Sequence, residues 1–311
     1  MDNLSYIELS KKHSRIGELR EKLHYSLVRR WFRHVPFEWG KAYLWERIRR
    51  RKFRFRTEIR QGILVEGVST DYIQQRLFFF GVWEPYLTAW LEEILEPGDI
   101  FVDVGANIGY YSLLSSKLVG DHGCVIAVEA SPEIYQLLKL HIELNAISNI
   151  RPHNVAATDS RKRLCVIPGP STNIGKTNVG EVAIGGVPIQ GVPLSELLSG
   201  IRVDAIKAIK IDVEGAEFSV LTGLQSVLGR LPDSAMLIVE ISPELQEDGK
   251  RSATELIDLM QSFGFNPYVI GNSYQMNEYF RNQGRVALVR LRGGVSQQTD
   301  VVFSKLDVSH L

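Results

Sequence analysis

Residues 101–111 read FVDVGANIGYY. An apolar run carries an acid, Asp103, passes through Gly105, Asn107 and Gly109, and opens into a helix-like segment. That is the layout of a nucleotide-type site at the carboxyl end of the first strand of an open α/β sheet. The two glycines allow close backbone approach, and the helix start behind them offers unpaired N–H groups. The spacing is not the dinucleotide pattern G-x-G-x-x-G, because Gly105 and Gly109 are four apart with Asn107 between them. Asp103 would repel a pyrophosphate. It suits a ligand that presents a cation and hydroxyls, and S-adenosylmethionine is such a ligand.

Other carboxylates stand at the ends of later apolar runs. Glu129 follows CVIAV at a distance from Gly105 that fits one helix plus one strand, and can accept both hydroxyls of a ribose. Asp159, in VAATD, can accept from an adenine amino group or make a local turn bond. IKIDVEGAE (209–217) delivers Asp212 to a strand end, with Glu214 and Glu217 in the first turn of the next helix. These acids can orient a substrate hydroxyl, accept its proton or hold a metal, and Glu214 and Glu217 also complement a helix dipole. Glu240 ends MLIVE and either faces substrate or caps structure. His34, His141 and His153 are scattered, and no H-E-x-x-H spacing occurs, so no metal ligand is assigned.

The elements that must position these groups alternate in an α/β rhythm from Asp99 onward. Strands are predicted at 99–104, 124–129, 150–156, 205–212, 236–240, 266–270 and 299–305. Helices are predicted at 109–119, 132–145, 216–228 and 252–263, with Pro132 at a helix first turn. Residues 168–186, rich in Gly, Pro, Thr and Asn, read as a long loop that would cover a substrate or stay mobile. This order implies a mostly parallel, doubly wound sheet. Upstream, Leu19, Leu23, Leu27, Trp31 and Val35 predict a helix over 14–35, ended by Pro36. A second helix is expected over 40–50, a hairpin over 53–68, and helices over 70–96 broken near Gly81 and Pro85. The chain thus divides into a basic, Trp-rich helical extension (1–56), a lead-in of hairpin and helices (57–96) and a cofactor-binding domain (97–311).

A hydrophobic content of 44% and a charge of 23% over 311 residues are those of an ordinary globular protein. No run of 18 apolar residues and no signal-peptide core occurs. Cys124, read as a buried strand residue, and Cys165 form no ligand cluster, so a reduced, cytoplasmic protein is expected. The net charge of zero hides an asymmetry. Residues 1–56 hold 16 Lys/Arg and 6 Asp/Glu, the remainder 20 and 30, and three of five tryptophans (Trp31, Trp39, Trp45) fall in the basic part. That part can recognise the acceptor, rest through residues 20–56 on the anionic inner membrane surface, or pack on the core or a second subunit. Nucleic acid is disfavoured by the acidic remainder.

These motifs resemble the FkbM family of S-adenosylmethionine-dependent methyltransferases. FVDVGANIGYYSLL (101–114), VIAVEASPEIYQLLKLHIELN (125–145), NVAATDS (154–160), IKIDVEGAE (209–217), LIVEI (237–241) and GVWEP (81–85) carry the resemblance. It spans about 80–305 and leaves the first 55 residues aside. It implies a class I, Rossmann-like methyltransferase fold and, usually, O-methylation. Carried over by position, Asp103, Gly105 and Asn107 meet the methionine part of the cofactor and Glu84 its amino acid end. Glu129 holds the ribose, Asp159 or Ala157 meets adenine, and Asp212 faces the reacting centre. The acceptor expected is a hydroxyl of a sugar, glycolipid, glycan or specialised metabolite. A nicotinamide-dependent dehydrogenase and a membrane-associated module with a vestigial cofactor fold are the competing readings.

Overall fold

The computed structural model describes residues 25–33, 35, 40–180, 186–243, 252–271, 279 and 287–309. Residues 25–33 are helical (α1), and Lys41–Ile48 form α2. Of the predicted helix 14–35, residues 14–24 and 34 lie outside the described residues, as do Pro36 and Trp39, and Val35 is no longer helical. The predicted hairpin is β1 (Arg54–Glu58) paired antiparallel with β2 (Leu64–Val68). Two helices follow, α3 (Tyr72–Phe80) and α4 (Pro85–Ile94). Asp71 caps α3 by accepting from the Ile73 and Gln74 N–H groups at 3.1 and 2.9 Å. Gly81, at φ 76°, ends it in a conformation that disfavours other residues.

The central sheet has the order β13-β12-β14-β11-β10-β3-β4-β5. Its parallel part comprises β3 (Ile100–Val104), β4 (Cys124–Val128), β5 (Ile150–His153), β10 (Ile206–Ile211) and β11 (Met236–Ile241). β14 (Thr299–Ser304) runs antiparallel between β11 and β12 (Asn266–Val269), and β13 (Val289–Arg290) closes that edge. The helices are α5 (Tyr110–Val119), α6 (Pro132–Leu144), the single turn α7 (Leu194–Leu197), α8 (Glu217–Leu228) and α9 (Ala253–Ser262). α6 starts as predicted, with Pro132 in its first turn behind the Ser131 cap. α9 is entered through a capping box between Ser252 and Glu255. Chain order reverses at β3: β4 and β5 lie on one side of it, β10 and β11 on the other. The crevice at that switch point is where open α/β sheets bind ligands.

Alternation along the strands divides the core between two faces. Phe101, Val125, Ala127, Ala208 and Ile238 join one cluster with α3, α4 and α5. Ile100, Val102, Val104, Ile126, Val128, Ile209 and Ile211 join the other with α8 and α9. Tyr25, Val28 and Phe32 of α1 and Trp45 and Ile48 of α2 belong to the first cluster. They pack on α3 through rings, Trp45 edge-on to Phe79 at 5.5 Å and Phe32 stacked on Phe80 at 5.5 Å. Among the described residues no helix is long and apolar enough to cross a membrane.

Three expectations need correction. The predicted strand 150–156 is two strands. β5 stops at His153, whose carbonyl accepts the Glu129 N–H at 3.0 Å, and Ala156–Thr158 (β6) leaves for a second sheet. That sheet has the order β6-β9-β7-β8, with β7 Lys162–Ile167, β8 Asn178–Gly180 and β9 Val187–Pro193. Pro188, Gly191 and Pro193 gave β9 the composition of a loop, yet the two prolines fall near its ends. The predicted loop 168–186 accordingly contains β8, and its residues 181–185 lie outside the described residues. Cys124 is half-buried rather than buried.

Candidate active site

Gly105 shows why the turn after β3 must be made of small residues. Its φ is 83°, and a Cβ built there would fall into the carbonyl oxygen of Asp212. The Gly105 and Ala106 N–H groups both donate to the Val128 carbonyl at 2.9 Å, and the Asp212 N–H donates to Val104 at 3.0 Å. Three strand ends are thereby drawn together around the turn. Asn107 follows at φ 52°, its side chain accepting the Ile108 N–H at 2.7 Å. His141, wholly buried on α6, faces the Ile108 carbonyl at 2.8 Å and braces the turn against β2. Its role is structural, in keeping with the absence of a histidine motif.

A cavity of about 1220 Å³ opens over these strand ends. Of the eleven predicted site residues, all but Asp103 and Gly109 line it. Gly109, at φ 93°, instead packs where a Cβ would meet Leu138. Asp103 is 1% exposed and sits behind the turn, accepting from the Ser112 hydroxyl at 2.5 Å. Burial raises its pKa, opposed by Lys210 and Ser112.

One end of the cavity is apolar, with Val128, Ile134, Val155, Ala156, Ala157 and Phe218 in its wall. Glu129 stands beside this slot. Its two oxygens accept the Ser131 and Asn107 N–H groups at 2.7 and 2.8 Å. Burial pushes its carboxyl up to about 7 against those hydrogen bonds. Asp159 lies at the rim, paired with Lys162 at 2.8 Å.

The other end is acidic. Asp103, Lys210 and Glu240 follow one another across the same face of β3, β10 and β11, Lys210 being in register with Asp103. Lys210 is 3% exposed, and its Nζ lies 2.6 Å from Asp212 Oδ2 and 5.0 Å from the centre of the Tyr111 ring. Burial alone would lower its pKa. Asp212 first, then Glu84, Asp103 and Asp300, outweigh that and hold the ammonium above the ordinary lysine value. Glu84, the strained residue before α4 at φ 42°, accepts from the Tyr111 hydroxyl. Burial and then Asp300 push its carboxyl up to about 8. Glu214 is raised to about 7 by burial and Asp212. Glu217 does not line the cavity; it accepts the Gly215 N–H at 2.9 Å at the start of its own helix.

Glu240 accepts from Gln298 at 2.6 Å and stands in register with Asp300 on β14. Burial, then Asp212 and Asp300, push its carboxyl from 4.5 to about 10. The folded chain therefore keeps a proton that the unfolded chain releases, and loses stability as pH rises from 4.5 toward 10. Glu240→Gln keeps an acceptor for Gln298 and removes this loss. By scanning calorimetry the variant should melt ~5 °C or more above the parent at pH 8 and nearly level with it at pH 5. Equal gaps at both pH values would mean that Glu240 titrates normally.

A family model described as the methyltransferase FkbM domain matches residues 103–267, over half of the chain. The chain belongs to the FkbM methyltransferase family. "Methyltransferase 1" of Beauveria bassiana is 27% identical to this FkbM methyltransferase over 190 residues, covering 54% of this chain and 73% of that one. Solved structures with a similar fold include an rRNA methylase from Streptococcus thermophilus, with a TM-score of 0.42 and 14% identity over 71% of this chain and 95% of that one. Precorrin-6y C5,15-methyltransferase from Geobacter metallireducens gives a TM-score of 0.41 and 11% identity over 71% and 86%. Family membership takes the place of the dehydrogenase reading.

The cofactor of this FkbM methyltransferase is S-adenosylmethionine. The cavity fits it on its own geometry. An apolar slot able to take a purine ends at a carboxylate able to take a diol, and leads to a carboxylate-lined end that suits a cationic sulfonium and ammonium. Glu129, Asn107 and Glu84 are the side chains that would hold it. At about 1220 Å³ the space exceeds the roughly 300–1,000 Å³ of common ligand sites, which leaves room for a second molecule. Lys210, Tyr111, Tyr72, Trp83 and Gln298 line the acidic end without having been picked out from the sequence. Lys210 stood inside a quoted motif, and its place in a buried strand was the signal available.

Proposed function

We propose that this FkbM methyltransferase transfers a methyl group to a hydroxyl of a sugar, free or within a glycolipid or glycan, or of a similarly hydroxylated metabolite. The observation that carries this reading is the Lys210–Asp212 pair at the cavity wall. The lysine is buried at 4% side-chain exposure, whereas Asp212 keeps 27% on the cavity side. A carboxylate anchored at one oxygen by a buried ammonium has its other oxygen available to accept a hydroxyl proton. Tyr72 and Trp83, edge-on at 5.9 Å, with Gln298 and Glu240, supply the mixed aromatic and hydrogen-bonding wall that a polyhydroxylated molecule needs. When bound, the cofactor supplies a methyl group already activated on sulfur. The chain's part is to align the oxygen, exclude water and take up the proton at Asp212.

Calorimetric titration with S-adenosylmethionine, S-adenosylhomocysteine and NAD, followed by labelled-methyl transfer to a panel of sugars, glycolipids and hydroxylated metabolites, tests this. Micromolar binding of the first two ligands and label in alkali-stable methyl ethers are expected. Label found only in amines or in alkali-labile esters would overturn the hydroxyl assignment. Binding without transfer to any acceptor would favour a vestigial site.

A further inference from the structure

Among the described residues before 57, the positive charge is not spread evenly over the surface. Arg29 is drawn inward to the Thr57 hydroxyl, and Arg33 donates to the carbonyls of Leu77, Phe78 and Phe79 at 3.2, 3.0 and 3.3 Å. Lys41, wholly buried, donates to the carbonyls of Phe32 and Val35 at 3.2 and 2.5 Å. Arg33 and Lys41 satisfy carbonyls at helix ends and Arg29 a hydroxyl of β1, so these three cations are engaged within the fold. Arg50, Arg51 and Lys52 are different. All three are exposed, and none has an ion-pair partner among the described residues.

The backbone of this run is fixed. The Gln75 amide donates to the Arg49 carbonyl at 2.7 Å, the Ser69 hydroxyl donates to Arg51 at 2.6 Å, and the Phe53 N–H donates to Ser69 Oγ at 2.8 Å. The three cations thus project from a rigid ledge rather than a tail. Tyr43, 68% exposed, stacks with Arg47 on the adjoining helix α2. The ledge is also joined to the cavity. From Ser69 the chain runs through Asp71 to Tyr72 and Ile73, which line the cavity mouth. Asp71 accepts the Ile174 N–H at 3.0 Å and the Tyr72 N–H donates to Thr172 at 2.9 Å, tying the covering segment to the same place.

We propose that the ledge Arg50–Lys52, with Tyr43 and Arg47 beside it, docks on an anionic bilayer and brings the cavity mouth to that surface. Clustered cations with an exposed amphipathic ring are what such a surface recognises. The rest of the chain, with 20 Lys/Arg against 30 Asp/Glu, would be repelled by it, so docking is oriented. The same acidic remainder speaks against a nucleic acid, which would need a basic track beyond the ledge. The proposal does not depend on the acceptor.

Co-sedimentation of the full chain with phosphatidylcholine vesicles, with and without about 30% phosphatidylserine, tests it. Association only with the anionic vesicles, weakened by salt, is expected. Combining Arg50→Glu, Arg51→Glu and Lys52→Glu should lower vesicle affinity at least about a hundredfold, at about fivefold per cation removed from the surface. The affinity of this variant for S-adenosylhomocysteine should be unchanged, which shows that it is folded and keeps this test separate from that of the reaction. No association with anionic vesicles, equal association of parent and variant, or tighter binding to a duplex RNA than to the vesicles would each overturn the proposal.

Discussion

Lys210→Met should lower the melting temperature by ~10 °C at pH 8, and by much less at pH 5. The methionine fills the space of the lysine stem but removes the cation that faces Asp212, Glu84, Asp103 and Asp300. Leaving buried charges uncompensated costs about 3–5 kcal/mol, and each kcal/mol moves the melting point of a domain this size by about 2–4 °C. The sign of the pH effect follows from the carboxyls. Lys210 opposes the burial-driven rise of the Glu84 and Asp103 carboxyls, so without it both are held protonated further above their unfolded values, at a cost that is larger at pH 8 than at pH 5. The lysine's own contribution is present at both pH values, because its ammonium is held above the ordinary 10.5. Scanning calorimetry at the two pH values decides the matter. An equal fall at both would assign Lys210 to packing rather than to charge. The same variant should bind S-adenosylhomocysteine but lose kcat with little change in KM, since Lys210 acts through Asp212 as a positioning residue.

Glu129→Ala should weaken S-adenosylmethionine binding about a hundredfold, with calorimetry as the readout. Hydrogen bonds to a charged acceptor are worth about 1.5–3 kcal/mol, and a ribose offers two hydroxyls to this carboxylate. Removing it also frees the Asn107 N–H, which it holds at 2.8 Å, and so loosens the turn. Because burial raises Glu129 to about 7, a ligand that needs the carboxylate ionised must displace a proton below that value. Affinity in the parent should therefore rise about tenfold from pH 6 to pH 8, and Glu129→Gln should remove that slope. Asp159→Ala, at the exposed rim, should change affinity little. A Glu129→Ala protein that binds as tightly as the parent would remove this residue from the cofactor site.

Much of the cavity was legible because strands and turns write themselves locally. The apolar runs ending at Val104, Val128 and Ile211 predict strand ends, and Glu129 and Asp212 follow from them. The glycines at 105 and 109 announce the turn because glycine takes up its positive φ without strain, as Asn107 between them also tolerates it. The small sheet was not legible. β9 carries two prolines and a glycine in seven residues, and its pairing with β6 and β7 is non-local, so no local preference reports it.

By itself the sequence determined the family, the strand-turn-helix units and which acids stand at their ends, since each is written within about ten residues. Only the tertiary structure decided which of those acids face one another. Register brings Lys210 beside Asp103 and Glu240 beside Asp300, and the Glu84 corner seats a fourth carboxylate against Tyr111. It also decided that Asp103 lies behind the cavity wall, and that Arg29, Arg33 and Lys41 turn inward while Arg50–Lys52 turn out. These outcomes depend on burial and on the charges of distant segments. The electrostatics of a buried group belong to everything packed around it and cannot be read from its neighbours in the chain.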